Sequence, residues 1–299
     1  MGKFDGVLLV SDICETLVDT SSGAFLKGEN GEEGEPVPVL ERDRRALEYF
    51  TAEGGRFTIA TGRSLEYVRF YADCVPINAP GVLGDGSAIC DIRSGEYLET
   101  AVLGEEVREL GQAAADRFPT TTVVVRPLEG RYRVVRPDAI ARFTIMDDTL
   151  EVSSLLEVPL PMQRLWVRVR HSTLVKDSCT LEEDRGTLRQ VRDFLRARDG
   201  NGAYELTFTS EDEDQLQMAA RGSAKGDMVR RLARRLGVSM EHVYCVGNGG
   251  DDVSMLTAAK QGFAPANCDQ AVKNCGATLV CCADRGVLAD VIGILDKKY

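Results

Sequence analysis

The sequence predicts an α/β protein in which a doubly wound parallel sheet is interrupted by an inserted α+β domain. Three short apolar runs end in polar or glycine residues, as expected of parallel strands that are buried on both faces: Val7 to Ser11, Phe57 to Thr61 and Val243 to Gly247. Helical patterns alternate with these runs, which is typical of this class. A length of 299 residues with 43% hydrophobic residues is sufficient for two domains.

The helical patterns flank the second and third strands. Leu40 to Ala52 precedes the second strand, Arg63 to Tyr71 follows it, and Gly226 to Leu236 precedes the third strand. The last of these patterns has an apolar stripe at helical spacing, formed by Met228, Val229, Leu232 and Leu236. Strands and helices therefore alternate through both ends of the chain.

Residues 90–216 have a different pattern, in which helical stripes are mixed with strand-like runs. The runs are Thr122 to Arg126, Tyr132 to Arg136 and Leu165 to Arg170. We expect this stretch to form a separate α+β domain, inserted into a core that consists of residues 1–89 and 217–299.

Composition restricts the partners. The net charge of -11 disfavours nucleic acid and anionic membrane surfaces, so a small molecule is the expected partner. The apolar runs are too short to span a bilayer and no signal-peptide pattern is visible. Nine cysteines without a C-x-x-C pair indicate reduced thiols. We therefore expect a cytoplasmic protein.

Polar residues follow the predicted strands, at the sheet edge where ligands bind in doubly wound folds. Cleavage of a phosphate ester by a carboxylate needs a nucleophilic Asp, a hydroxyl and a cation for the phosphoryl oxygens, and a hard metal ion on oxygen ligands. The chain has a candidate for each of these parts. They are Asp12 after the first strand, Thr61 at the end of the second, Lys225 before the third, and Asn248, Asp251 and Asp252 after the third.

These residues occur in the order and spacing of four motifs of the haloacid dehalogenase-like (HAD) phosphatase superfamily, and nearly the whole chain resembles its Cof-like branch. Four further segments are similar to that branch: Gly84 to Ile89, Phe263 to Asn267, Val272-Lys273 and Arg285 to Val287. The resemblance implies a Rossmann-like core, a large α/β cap between the second and third motifs, and magnesium-dependent hydrolysis of small phosphate esters, often sugar phosphates.

The resemblance also implies a function for each matching residue. Asp12 is expected to attack phosphorus, while Thr61 and Lys225 bind the phosphoryl oxygens, and Gly62 and Arg63 complete the turn after Thr61. The implied Mg²⁺ ligands are Asp12, the backbone carbonyl of Cys14, and residues of the group Asn248, Asp251 and Asp252.

The first motif departs from the family pattern Asp-x-Asp-x-Thr. Its second Asp, which protonates the leaving alkoxide and later activates water, is replaced by Cys14. A thiol with a reference pKa of about 8.5 is a poor substitute for this acid and base. Glu15 stands where a glycine is common, but adjacent residues at a strand end tend to point apart, which disfavours Glu15 as the replacement. Because Cys14 has carboxylates on either side in sequence, we expect a space-filling thiol rather than a reactive one.

The fourth motif departs from the family pattern Gly-Asp-x-x-Asn-Asp. Asn248 brings an oxygen but no negative charge, so Mg²⁺ should bind more weakly. Asp251 replaces a family Asn and restores the formal charge. Whether Asp251 reaches the ion is left open by the sequence.

Three hypotheses follow from these patterns. The first is a phosphatase for a small phosphorylated metabolite, restricted to leaving groups that need no proton, such as acyl phosphates or activated aryl phosphates. The second is a catalytically silent protein that binds or senses a phosphorylated metabolite. The third is an enzyme in which Asp12 attacks but the phospho-aspartate hydrolyses slowly.

Overall fold

A computed structural model describes residues 2–20, 37–63, 65–137, 149–170, 178–208 and 213–299, with the side chains of 178–180 excepted. The sequence predicts a surface loop in the Gly- and Glu-rich segment from Ser21 to Pro38, which lies almost entirely outside these residues. The chain divides into two compact units, one formed by Met1–Thr100 and Gly222–Tyr299 and the other by Ala101–Arg221. Each unit has its own hydrophobic core.

The described residues form fourteen strands and eight helices. The strands are β1 (Leu8–Ser11), β2 (Arg56–Ile59), β3 (Gly81–Leu83), β4 (Ala88–Cys90), β5 (Tyr97–Thr100), β6 (Thr121–Pro127), β7 (Tyr132–Val135), β8 (Thr149–Val152), β9 (Met162–Val169), β10 (Tyr204–Phe208), β11 (Leu216–Ala220), β12 (Val243–Val246), β13 (Gln261–Ala264) and β14 (Thr278–Leu279). The helices are α1 (Glu41–Ala52), α2 (Leu65–Cys74), α3 (Glu105–Arg117), α4 (Ser178–Arg196), α5 (Lys225–Leu236), α6 (Val253–Ala258), α7 (Gln270–Asn274) and α8 (Val287–Lys298).

The first unit is built on a five-stranded parallel sheet in the order β14-β13-β12-β1-β2. All residues of β1 and β12 are buried, because helices cover both faces of the sheet. Strand β1 lies between two parallel neighbours, and its last residue, Ser11, pairs with Val246 of β12 and with Ile59 of β2. The carboxyl ends of these three strands therefore meet at one edge.

Helix α5 follows the predicted apolar stripe. Met228, Val229 and Leu232 are fully buried, and the helix ends at Gly237, whose φ of 67° is the left-handed conformation that terminates many helices. The helix begins at Lys225, so the packing of the apolar stripe determines the position of this lysine in the unit.

Helices α1 and α8 pack together on the core. Asp43 of α1 is fully buried, and its Oδ1 accepts a 2.7 Å hydrogen bond from the backbone N–H of Ala289 in the first turn of α8. Its Oδ2 has no hydrogen-bond partner among the residues that the structure describes. Burial raises the pKa of Asp43 to about 6.

The unit boundaries lie later in the chain than the predicted ones at residues 90 and 216. Strand β5 pairs with β4 in a three-stranded antiparallel sheet with β3, so residues 97–100 stay with the first unit. Strand β11 pairs with both β9 and β10, so residues 217–221 stay with the second unit. Strand pairing between distant segments, which local pattern does not encode, sets both boundaries.

The second unit contains a six-stranded sheet in the order β10-β11-β9-β6-β7-β8. All its pairings are antiparallel except that of β7 with β8. Helices α3 and α4 contribute Val107, Leu188 and Val191 to a core shared with Val123 and Leu165 of the sheet. The predicted fold class, a doubly wound parallel sheet with an inserted α+β domain, is confirmed.

No helix within the described ranges is both long enough and apolar enough to cross a bilayer.

Candidate active site

Asp12 lies directly after β1. Its backbone N–H donates a 2.9 Å hydrogen bond to the carbonyl oxygen of Val246 on β12, which extends the parallel pairing by one residue. Only 8% of the residue is exposed. The central strand thus delivers a nearly buried carboxylate to the edge where its two neighbours also end.

Thr61 lies after β2 and is 2% exposed. Its backbone N–H donates to the carbonyl oxygen of Val82, and its Oγ1 accepts a 3.2 Å hydrogen bond from the backbone N–H of Arg63. At Gly62 a Cβ atom would lie 2.4 Å from Oδ1 of Asp85, so a larger residue would require the Asp85 side chain to move. The turn that holds Thr61 is therefore fixed on both sides.

Lys225 is the centre of the site. Its Nζ lies 3.3 Å from Oδ1 of Asp12, 2.6 Å from Oδ2 of Asp251 and 2.7 Å from Oδ1 of Asp252. The side chain is 1% exposed, so one buried ammonium joins carboxylates from two loops that are more than 200 residues apart in sequence.

These carboxylates decide the charge state of Lys225. Burial alone would lower the pKa of the ammonium, but the negative charges of Asp12, Asp252 and Asp251 outweigh burial and hold the pKa well above its ordinary value. Burial raises the pKa of Asp12, while the Lys225 ammonium acts in the opposite direction. Lys225 therefore stays charged.

Asp252 anchors both the lysine and its own loop. Its Oδ1 accepts from Lys225, and its Oδ2 accepts from the backbone N–H groups of Asn248 and Gly249 at 2.9 and 3.0 Å. At Gly247 a Cβ atom would lie 2.5 Å from Cγ of Asp252, so the loop needs glycine there. Both carboxylate oxygens of Asp252 are thus engaged within the protein.

Asn248 and Asp251 differ in what they contact. Oδ1 of Asn248 accepts a 3.0 Å hydrogen bond from the hydroxyl of buried Thr16, which ties the loop after β12 to the loop after β1. The side chain of Asp251 is 57% exposed. Because Asp251 and Asp12 contact the same ammonium, the contacting oxygens lie no more than about 6 Å apart.

The donor atoms at this edge fit a hard cation. Carboxylate oxygens of Asp12 and Asp251 and the amide oxygen of Asn248 are the kinds of ligand that Mg²⁺ prefers. Within the described ranges, no three His, Cys, Asp or Glu side chains already converge as a metal centre. The Lys225 ammonium lies among these carboxylates instead.

Cys14 contacts a cation, which the carboxylates beside it in sequence do not indicate. Its Sγ accepts a 3.3 Å hydrogen bond from Nε of Arg63, which comes from the loop after β2. The side chain is half-buried, and burial raises the pKa of the thiol, although the Arg63 charge partly opposes this. The residues next to Cys14 in sequence do not indicate this contact, because it joins residues 49 positions apart.

Glu15 adopts a left-handed backbone conformation with a φ of 54°. This conformation is uncommon for residues other than glycine, which explains why glycine suits the position. Its Oε1 accepts hydrogen bonds from the backbone N–H and the hydroxyl of Thr20. The carboxylate is therefore engaged with Thr20.

Two residues of the site were missed in the sequence. Thr16 orients Asn248, and the negative charge of Asp85 acts on Lys225. Thr16 is the Thr of the Asp-x-Asp-x-Thr pattern, and Asp85 lies in the Gly84 to Ile89 segment, so both had a signal. Neither motif indicates which side chain Thr16 or Asp85 interacts with in the folded protein.

A parallel sheet with a buried aspartate, a threonine and a lysine at its carboxyl edge is typical of α/β proteins that bind ligands where the central strands end. A family model for haloacid dehalogenase-like hydrolases matches residues 10–129 and 170–292. The chain belongs to this family. The resemblance to the HAD superfamily and its Cof-like branch is thereby confirmed.

Two relatives are similar to this chain over different lengths. Phosphatase YwpJ of Bacillus subtilis is 35% identical over 72 residues, which is 24% of this chain and 25% of YwpJ. The chloroplastic endoribonuclease YBEY of Arabidopsis thaliana is 22% identical over 265 residues, which is 87% of this chain and 42% of that protein. The chain thus spans less than half the length of either relative.

A solved structure supports the fold over nearly the full length. BT1666 of Bacteroides thetaiotaomicron, described among phosphatases of the HAD superfamily, superposes with a TM-score of 0.74 at 17% identity and covers 98% of this chain and 96% of its own. At this identity the likeness concerns the fold.

Proposed function

We propose that this chain is a magnesium-dependent phosphatase that transfers a phosphoryl group from a small phosphorylated metabolite to Asp12 and then to water. The observation that carries the proposal is the position of Lys225, whose ammonium lies between Asp12 and the loop of Asp251 and Asp252. Membership of a hydrolase family supports it. YwpJ, to which part of the chain is similar, is a phosphatase.

Thr61 and Lys225 bind the phosphoryl oxygens in this proposal. A phosphoryl group carries negative charge that must be offset as a carboxylate approaches it, and a preorganised ammonium and hydroxyl provide this in a site with little water. Asp252 holds Lys225 in place through the 2.7 Å contact. The lysine therefore does not need to be reoriented when the substrate binds.

Mg²⁺ would be held by the carboxylates of Asp12 and Asp251 and by the backbone carbonyl of Cys14, with the amide oxygen of Asn248 as a neutral donor. When bound, the ion supplies positive charge to the phosphoryl oxygens as a Lewis acid. Asp252 is assigned to the lysine rather than to the ion, because both of its oxygens accept hydrogen bonds from the protein.

In the first step, a carboxylate oxygen of Asp12 forms a bond to phosphorus. The bond between phosphorus and the leaving oxygen breaks, and its electron pair remains on that oxygen. No carboxylic acid stands at residue 14 to supply a proton, and burial further raises the pKa of the thiol that replaces it. The proposed substrates are therefore those whose leaving group departs as a stable anion, such as acyl phosphates or activated aryl phosphates.

In the second step, water attacks the phosphorus of phospho-Asp12 and the bond to Asp12 breaks. The proton of the water stays on the released phosphate, because Cys14 is a poor base while it holds its own proton and the Glu15 carboxylate is engaged with Thr20. General-base assistance contributes roughly 10²–10⁴-fold where it is present. We therefore expect the second step to be the slower one.

Phosphate release tests the proposal. With Mg²⁺ present, wild-type protein should release phosphate from acetyl phosphate at least about 10²-fold faster than from glucose 6-phosphate, since only the sugar alkoxide needs a proton. Asp12→Asn should abolish release, whereas Asp227→Asn, a half-exposed carboxylate of α5, should not alter it. Equal turnover of both substrates would contradict the proposed restriction to leaving groups that need no proton. Phosphate release by Asp12→Asn would contradict the proposed attack by Asp12.

Intact-protein mass spectrometry tests the order of the two steps. Brief treatment with acetyl phosphate and Mg²⁺ should leave a phosphate-sized adduct on the wild type and none on Asp12→Asn. If phosphate is released while no adduct is detected, the second step is not the slower one.

A further inference from the structure

The Cys14–Arg63 contact connects the loop after β1 to the loop after β2. Arg63 donates through Nε to the sulfur at 3.3 Å, and its backbone N–H donates to Oγ1 of Thr61. The same arginine is thus tied at its main chain to the hydroxyl that is proposed to bind phosphate, and at its side chain to the second residue after Asp12.

The guanidinium of Arg63 is also held from a third side. Its Cζ lies 5.5 Å from the centre of the Tyr67 ring, within the range of a cation–π interaction. The hydroxyl of Tyr67 lies 3.2 Å from that of Tyr71, which donates to the carbonyl oxygen of Val37. This chain of contacts restrains the arginine, so its charge is presented in a fixed direction.

A thiol at residue 14 leaves a different charge balance from a carboxylate at the same place. Lys225 faces three carboxylates. Arg63 instead contacts the thiol of Cys14, which cannot form an ion pair as an aspartate would. Because Cys14 is the second residue after Asp12, its contact with Arg63 brings the guanidinium to the loop that carries the proposed nucleophile. Arg63 therefore adds positive charge on the residue-14 side of the site.

We propose that Arg63 is a catalytic residue that stabilises the negative charge on the leaving oxygen, and that it selects acyl phosphates as the substrate class. This inference rests on the proposed function. When Asp12 attacks phosphorus, the bond to the acyl oxygen breaks and the electron pair leaves with a carboxylate, so no proton is consumed. A guanidinium matches a carboxylate through two parallel N–H···O bonds, whereas it does not protonate an alkoxide.

The experiment compares two leaving groups. Acetyl phosphate releases a carboxylate, which the guanidinium fork fits, and 4-nitrophenyl phosphate releases a phenolate whose charge is spread into the ring. Arg63→Gln should lower kcat/KM for acetyl phosphate by about 10²–10³-fold, the loss typical of removing one donor to a developing oxyanion. The loss for 4-nitrophenyl phosphate should be about ten-fold or less, because the ring already stabilises the anion.

Inorganic phosphate separates leaving-group stabilisation from phosphate binding. Its inhibition constant should change by no more than about three-fold in Arg63→Gln, because Thr61 and Lys225 remain. Arg63→Lys keeps the charge but not the fork, so it should show an intermediate loss with acetyl phosphate and also guards against misfolding of the glutamine variant. Arg45→Gln, on the exposed face of α1, is the matched control and should behave as wild type.

Two outcomes would overturn the inference alone. Equal losses for both substrates in Arg63→Gln would mean that Arg63 does not act on the leaving group, and phosphate inhibition that weakens in parallel with kcat/KM would make it a phosphate-binding residue. A wild type that releases phosphate from neither substrate would instead overturn the proposed function, and the inference with it.

Discussion

The two sides of the candidate site are organised differently. On the side of Lys225, one ammonium is enclosed by three carboxylates, and both Lys225 and Asp252 are almost completely buried. On the side of Cys14, a half-buried thiol meets a guanidinium, and the next residue has a left-handed backbone. The Lys225 side keeps the family's carboxylates at Asp12 and Asp252 and has Asp251 where the family has Asn, whereas a thiol replaces the family's carboxylate at residue 14.

This difference shows how charge fixes geometry. The buried carboxylates of Asp12 and Asp252 offset the cost of burying the Lys225 ammonium, so neither can change without exposing the other groups to that cost. Cys14 instead contacts the guanidinium of Arg63, and a thiol stands there in place of the family's carboxylate. Substitution on the two sides should therefore have unequal consequences.

The largest effect is expected from Lys225→Met. It leaves Asp12 and Asp252 buried without their cation, which should lower the free energy of unfolding by about 3–5 kcal/mol and turnover by about 10³-fold. Urea unfolding and phosphate release measure the two effects. The matched control is Lys260→Met, whose ion pair with Glu241 is exposed and should contribute less than about 1 kcal/mol. Similar losses for both variants would contradict the special status of the buried lysine.

Asp43 provides the contrast of a buried carboxylate without a lysine. Its folded-state pKa of about 6 lies above the ordinary value of 3.8, so the folded protein binds the proton more tightly than the unfolded chain does. Stability from this group is therefore fully present below pH 3.8 and is lost as the pH rises through about 6. At about 1.4 kcal/mol for each pH unit, the total loss is about 3 kcal/mol, of which about half falls between pH 5 and 8.

Asp43→Asn should remove this pH dependence. Urea unfolding of both proteins from pH 5 to 8 should show the variant gaining stability relative to wild type by about 1.4 kcal/mol. A constant difference across this range would mean that Asp43 titrates normally and that burial alone does not raise its pKa.

Cys14→Asp should make the Cys14 side of the site more like the Lys225 side, in which carboxylates surround a cation. It would place a carboxylate beside Arg63 and restore an acid near the leaving oxygen, so hydrolysis of glucose 6-phosphate should rise by about 10²-fold. Glu15→Gln is the control and should change turnover little, because Glu15 is bonded to Thr20. Loss of activity in Glu15→Gln would identify Glu15 as the acid instead.

The smallest effect is expected from exchanging the charges of Asp251 and Asn248, which should alter the affinity for Mg²⁺. If Asp251 supplies the negative charge that Asn248 lacks, Asp251→Asn should weaken Mg²⁺ binding by about ten-fold and Asn248→Asp should strengthen it by a similar factor. The double exchange conserves charge and should bind nearly as wild type does. Calorimetry with Mg²⁺ measures all four proteins, and unchanged affinity in Asp251→Asn would exclude Asp251 as a ligand.

The sequence was a good guide to the frame of the site. The apolar runs ending at Ser11 and Gly247 and the stripe of α5 encode elements locally, because burial of a strand or helix face shows in the order of its own residues. Their carboxyl ends then follow from the parallel arrangement. This is why Asp12 and Lys225 could be anticipated before their contact was seen.

The contacts around Cys14 could not be anticipated in this way. Arg63 reaches the thiol across two loops, and Glu15 turns away because its backbone is left-handed, a property that is unusual for glutamate. The short strands β3 to β5 were likewise not predicted, since antiparallel pairing of three-residue segments leaves little periodic signal.

The central position of β1 also has a consequence for biosynthesis. Strand β1 is made well before its neighbour β12, which starts only at Val243. At about 5–20 residues per second, the ribosome adds the intervening residues in roughly 10 to 50 seconds. During that time one edge of this largely apolar strand is unpaired in the nascent chain, so this protein should depend on chaperones more while it is being synthesised than after release.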